Sequence, residues 1–157
     1  MFKGALVGKA SPNSKVPIEN PSEVETSALL TGSAFIDHSS SGRLLMYGSD
    51  TLDLLNRLST NKLEVLEQGD TITTVLTTPK GRVVDFLTVG ARPDHLYCLT
   101  SEGRQQAVID WIEFYTFGED SSVYDVTRDT AQITVTGPEA SGILKRLGCG
   151  VPNAKPF

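Results

Sequence analysis

From Ala28 onward the apolar positions switch between a period of two and a period near 3.6, and each switch marks an element boundary. Ala34-Phe35-Ile36 reads as a short strand, Asp37 to Ser41 as a polar turn, and Gly42 to Tyr47 as a second strand. Leu52, Leu55 and Leu58 then fall at helical spacing, with Leu54 widening the stripe and Ser49 placed as the cap. Thr71 to Thr77 is β-branched and predicts a strand, Thr78 to Gly81 a turn, and Arg82 to Val89 the next strand. A turn at Arg92-Pro93-Asp94 and a return strand from His95 to Leu99 complete a three-stranded meander. A helix is expected from Ser101, with Ala107, Val108, Trp111, Ile112 and Tyr115 on one face and Trp111 mostly buried. Val123 to Val126 and Ala131 to Val135 read as strands. Gly137-Pro138-Glu139 then opens a last helix, with proline at its first position and Ala140, Ile143, Leu144 and Leu147 as its buried stripe.

The pattern repeats once. A strand, Gly48 and a helix ending Leu54-Leu55-Asn56-Arg57-Leu58 are echoed by a strand, Gly137 and a helix ending Ile143-Leu144-Lys145-Arg146-Leu147. Before this body, residues 1–27 read as an extended lead-in, because Pro12, Pro17 and Pro21 stand among Ser and Asn. Residues 28–157 form the domain, and the ending closes no element, which reads as truncation at the C-terminus.

Charge and cysteine usage narrow the chemistry. Fourteen basic residues against nineteen acidic ones give a net charge of −5, which disfavours direct nucleic-acid binding. No apolar run approaches the roughly 20 residues that span a bilayer, and no signal peptide opens the chain, so the default address is the cytosol. The two cysteines, Cys98 and Cys149, and the two histidines, His38 and His95, share no metal-ligand spacing; no metal site is expected and both thiols should be unliganded. Gly4 to Ser11 has the wrong spacing for a phosphate loop, and no Gly-x-Gly-x-x-Gly occurs.

Asp85 is the most informative residue. Alternation puts it on one strand face with Val83, Leu87 and Val89, opposite Arg82, Val84, Phe86 and Thr88. A carboxylate among aliphatic neighbours must find donors or take up a proton. It is either a structural acid paired with Arg43 or Arg92, or an acid facing a ligand in a cleft. Ser59, Thr60 and Asn61 are ordinary helix-terminating residues, and Thr77 to Arg82 is by itself a charged hairpin turn.

Taken in order, Phe35 to Arg43, Leu58 to Asn61, Gln68-Gly69, Leu76 to Asp85 and Ile133 to Ala140 resemble the GcvT/YgfZ superfamily. The resemblance implies an α+β fold of intertwined, mixed-sheet subdomains: a three-stranded antiparallel meander with three packing helices. The family's C-terminal barrel is expected to be missing from this chain, in line with the reading of a truncated end. It implies tetrahydrofolate held in a cleft, with Asp85, Asn61, Thr60 and Arg82 as the binding residues and no catalytic residue assigned. A carboxylate can accept a pterin's ring N–H and exocyclic amine together. The aminomethyltransferase branch carries two adjacent acids; here Asp85 stands on the first and Phe86 on the second. The Lys80-Gly81-Arg82 turn with one acid looks more like the YgfZ branch, although that branch's Lys-Gly-Cys-x-x-Gly-Gln-Glu signature is missing and Ser40 replaces the histidine of the aspartate–serine turn. The resemblance therefore implies a folate-binding accessory protein that serves iron–sulfur client proteins. The alternatives are a folate-dependent aminomethyltransferase and an interaction domain that has lost folate.

Overall fold

The computed structural model describes residues 23–150. In chain order they form α1 (Glu23–Thr31), β1 (Ala34–Asp37), β2 (Ser41–Tyr47), α2 (Thr51–Leu58), β3 (Thr71–Thr77), β4 (Val83–Ala91), β5 (Leu96–Glu102), α3 (Gln105–Phe114), β6 (Ser122–Asp125), β7 (Ile133–Thr136) and α4 (Ala140–Arg146). The fold is α+β, and the expected meander is present as β3, β4 and β5. The sheets are not mixed: β1 pairs with β7, and β2 to β6 form a second sheet in the order β3-β4-β5-β2-β6, with every pairing antiparallel. Four helices accompany them among the described residues, one more than the sequence predicted.

The chain forms two compact units. One runs from Ser39 to Gln132 and contains the five-stranded sheet. Its core joins Leu44, Met46, Leu76, Leu87, Val89 and Cys98 from the strands to Leu54 and Leu55 of α2 and Val108, Ile109 and Ile112 of α3. The helical stripes read from the sequence therefore face the sheet as apolar burial requires. Trp111 is mostly buried as expected, packed at the margin of this core while Val108 and Ile112 take the centre of the face.

The other unit takes the chain up to His38 and from Ile133 onward. Its described part pairs β1 with β7 in the register Ala34 to Thr136, alongside α1 and α4. The buried stripe expected on α4 is not buried: none of its residues is, and Leu147 just beyond is 69% exposed. Among the described residues this unit has one two-stranded sheet and two short helices, too few layers to cover it.

Other boundaries moved for identifiable reasons. β5 continues through Glu102, and α3 begins at Gln105 rather than near Ser101. Ser49 is not the cap of α2. Asp50 holds that place in helical conformation with no side-chain cap, while the Ser49 hydroxyl donates to Asp120 Oδ2 at 3.1 Å. Pro138 precedes α4 by two residues instead of opening it. Helix α1 begins at Glu23, inside the stretch expected as extended lead-in; residues 1–22 of that stretch and the ending from Val151 lie outside the described residues.

Candidate functional site

Strand β4 sets the geometry. Its alternation buries Asp85, Leu87 and Val89 on the helix-covered face of the sheet and turns Phe86 to the other. Asp85 is 5% exposed and Phe86 is 58% exposed. Neither arginine considered for Asp85 reaches it. Its Oδ2 accepts the backbone N–H of Ser101 at 2.9 Å. That bond ties β4 to the end of β5, where the chain leaves the sheet for α3. The Arg104 side chain adds a second tie by donating to the Val84 carbonyl at 2.8 Å.

Arg43 is occupied elsewhere. It is fully buried. Its Nε donates to Thr130 Oγ1 at 2.7 Å, its Nη1 to the Ser41 carbonyl at 2.7 Å, and its Nη2 to the carbonyls of Ser39, Thr127 and Thr130. Backbone dipoles, not a carboxylate, compensate this cation. Arg92 donates to its neighbour Ala91's carbonyl at 3.0 Å.

Thr60 and Asn61 lie along the free side of β3. Ser59 bridges to Leu76, and the Thr60 N–H donates to the Val75 carbonyl at 3.0 Å. Asn61 Nδ2 donates to the Thr73 carbonyl at 2.7 Å, and its N–H to Thr74 Oγ1 at 3.2 Å. Since Leu76 faces Asp85 across β3 and β4, Ser59, Leu76 and Asp85 form one row across the sheet. The Ser59 hydroxyl in that row is buried without a hydrogen-bond partner.

Arg82 closes the β3–β4 turn at the same end. Its carbonyl accepts the Thr78 N–H at 2.8 Å, its own N–H donates to Thr78 Oγ1 at 3.1 Å, and its side chain is exposed. Arg82, Asp85 and Thr60 thus lie toward the turn end of β3 and β4, whereas Asn61 lies against the middle of β3. Asp85 points into the core side, and Thr60 and Asn61 spend their polar groups on the β3 backbone. Arg82 and Phe86 present themselves to solvent. Phe86 was legible as the residue opposite Asp85 in the alternation; its exposure was not.

On the Phe86 face, Val75 stands directly across the ladder, and Leu45, Tyr97 and Leu99 are half-buried. Among the described residues, no three His, Cys, Asp or Glu side chains are grouped to hold a metal ion, and no helix is long and apolar enough to cross a membrane.

Residues 9–155 match the family model of the GCVT N-terminal domain. The aminomethyltransferase of Bacillus mycoides is 30% identical over 124 residues, and that of Shouchella clausii 32% over the same length. Each alignment covers 78% of this chain and 34% of the relative, so the chain spans about a third of the length of these relatives. Among solved structures, the glycine cleavage system aminomethyltransferase T of Bartonella henselae superposes with a TM-score of 0.70 at 17% identity, covering 78% of this chain and 34% of that one.

Proposed function

This chain belongs to the GCVT N-terminal domain family, and from that membership we propose that it is a cytosolic, tetrahydrofolate-binding accessory protein of the YgfZ kind, serving iron–sulfur client proteins without catalysing one-carbon transfer. The observation that carries the reading is the pair Asp85–Phe86. At the place where the aminomethyltransferase pattern has two acids, the first is buried and bonded to Ser101, and the second is an exposed phenylalanine. A general acid or base must reach the group it protonates. A phenylalanine on the open face has no proton to move, but it offers a ring on which a pterin can stack.

In this reading Arg82 attracts the carboxylates of the folate tail, Thr60 and Asn61 hold the shape of the β3 edge, and Asp85 positions the β4–β5 end of the site. Tetrahydrofolate, when bound, supplies a nitrogen that accepts a one-carbon unit; this chain's residues bind and orient it.

The aminomethyltransferase reading is favoured by the names of the relatives. Two measurements separate the readings. Calorimetric titration with 5-formyltetrahydrofolate should give saturable binding. Incubation with methylamine-loaded lipoyl protein and tetrahydrofolate should give no ammonia above background. Turnover would assign the protein to the transferases, and the absence of folate binding would assign it to the interaction domains.

A further inference from the structure

We propose that the groove between the end of α3 and strand β6 receives an extended, lysine- or arginine-bearing segment of a partner protein. Three observations converge there. The first is an open sheet edge. Of the two terminal strands of the five-stranded sheet, β3 has its outer side occupied by Ser59 to Asn61, whereas no strand or bridge among the described residues pairs with the outer side of β6. A terminal strand offers amides and carbonyls to an added strand.

The second is the groove itself. A cavity of about 400 Å³ lies beside β6, lined by Glu113, Thr116, Ser121, Ser122, Val123 and Tyr124. Exposed aromatic side chains stand on the same two elements: Phe114, next to Glu113 in the chain, is 64% exposed and stacks on Trp111 with ring centroids 6.2 Å apart, and Tyr124 is 56% exposed.

The third is charge. Residues 105–127 contain Asp110, Glu113, Glu119, Asp120 and Asp125 and no lysine or arginine. Glu119 is held by Arg57 at 2.8 Å, while Glu113 stands exposed in the groove wall. A carboxylate beside a tyrosine ring and hydroxyls accepts an ammonium or guanidinium by charge-assisted hydrogen bonding and cation–π attraction. The same surface repels phosphate, so the sign of the field selects a basic polypeptide over nucleic acid. The free edge selects an extended segment over a lone amine, because only a chain can pair along β6.

The test uses two fluorescein-labelled peptides, one alternating lysine with valine and its twin alternating glutamate with valine. Fluorescence anisotropy should show saturable, salt-weakened binding of the lysine peptide alone. Glu113→Lys and Phe114→Ser should each weaken it by about fivefold or more. Both side chains are exposed, and unchanged circular dichroism verifies their folds. Bound peptide should also slow amide exchange from Ser122 to Asp125. Equal binding of the glutamate twin, an unaffected Glu113→Lys variant, or unchanged exchange along β6 would each overturn the proposal. So would a dimer in sedimentation that buries β6 against a second copy.

Discussion

Gly48 and Gly137, 89 positions apart in the sequence, make the same turn between a strand and a helix. Their φ angles are 118° and 111°. A Cβ on Gly48 would lie 2.0 Å from the Asp120 carbonyl oxygen, and one on Gly137 would lie 2.5 Å from the Gly32 carbonyl oxygen. Two residues after each glycine, the N–H of Asp50 and of Glu139 donates to that same carbonyl, at 3.1 Å in both cases. The strand leaving each carbonyl pairs antiparallel with the strand entering the glycine: Ser122 opposite Tyr47, and Ala34 opposite Thr136. The repeat read from the sequence is thus a hydrogen-bonded motif built twice. Alanine at either position combines left-handed strain with a backbone collision. Gly48→Ala should cost about 3 kcal/mol and Gly137→Ala about 2 kcal/mol. Gly81→Ala, with φ 71° and open space around it, should cost only about 1 kcal/mol. Urea midpoints of the three variants give the ordering.

Arg43 should be more sensitive than any surface ion pair. Arg43→Met leaves the carbonyls of Ser39, Ser41, Thr127 and Thr130 without their donor inside the fold. Partly buried acceptors that lose a charged donor cost up to roughly 1–3 kcal/mol apiece before water replaces it, and with the loss of the buried guanidinium's packing a destabilisation of about 3 kcal/mol is expected. Lysine restores the charge but not the planar fork, and Arg43→Lys should recover less than half of it. Denaturant unfolding of both variants measures this, and faster amide exchange at residues 126–130 localises it.

What the sequence could disclose depended on how local the cause was. The meander was legible because β-branched runs and the Thr78–Gly81 turn act within a few residues. The burial of Asp85 followed from strand alternation. Its partner did not, because Ser101 lies 16 residues away and donates through its backbone, which any residue type could do. The same holds for Arg43: its acceptors are mostly carbonyls, which leave no mark in side-chain pattern. Ser49 was misread as a cap because its true partner, Asp120, arrives from a distant loop. The α4 stripe has helical spacing, but spacing reports a face that can be buried, and burial needs a covering layer.

Asp85 and Phe86 make opposite predictions. Asp85→Ala removes the acceptor for the Ser101 N–H and should destabilise by about 2 kcal/mol, while folate affinity changes by less than about threefold. Phe86→Ser removes an exposed ring, should leave the melting temperature within about 2 °C, and should weaken folate binding about tenfold. Thermal unfolding and folate titration on both variants check the pair. Folate binding lost with Asp85 and kept without Phe86 would return the ligand role to the carboxylate.

The Arg57 hydrogen bond, reinforced by the Phe117 N–H, lowers the Glu119 pKa to about 2. A carboxylate whose folded pKa is depressed stabilises the fold above its unfolded value and loses that contribution as pH falls through the folded one. The window therefore runs downward from about pH 4.5 to about 2. Glu119→Gln should flatten stability across that window and lower neutral-pH stability by the same amount, which is small because the pair is solvent-screened. Carboxyl chemical shifts followed by NMR through the acid range test the assignment directly.

The two thiols should behave as different reagents. Cys98 is buried, with its Sγ 3.6 Å from Met46 Sδ, and burial pushes its pKa up to about 12; Cys149 is exposed. Thiolate is the reactive form, so an aromatic disulfide reagent at pH 8 should titrate one thiol per chain quickly and reach the second only through unfolding. The slow rate should rise with urea in step with the unfolded fraction. The linkage has the sign of an acid held neutral. Its contribution is fully present below the unfolded value near 9 and is lost as pH rises from there toward about 12. Cys98→Ser keeps the size but buries a hydroxyl in an apolar core, and should cost about 1–3 kcal/mol. Cys149→Ser should abolish the fast phase and leave stability unchanged. Two fast thiols in the native protein would show that the Leu44–Met46–Leu87 core is open to solvent.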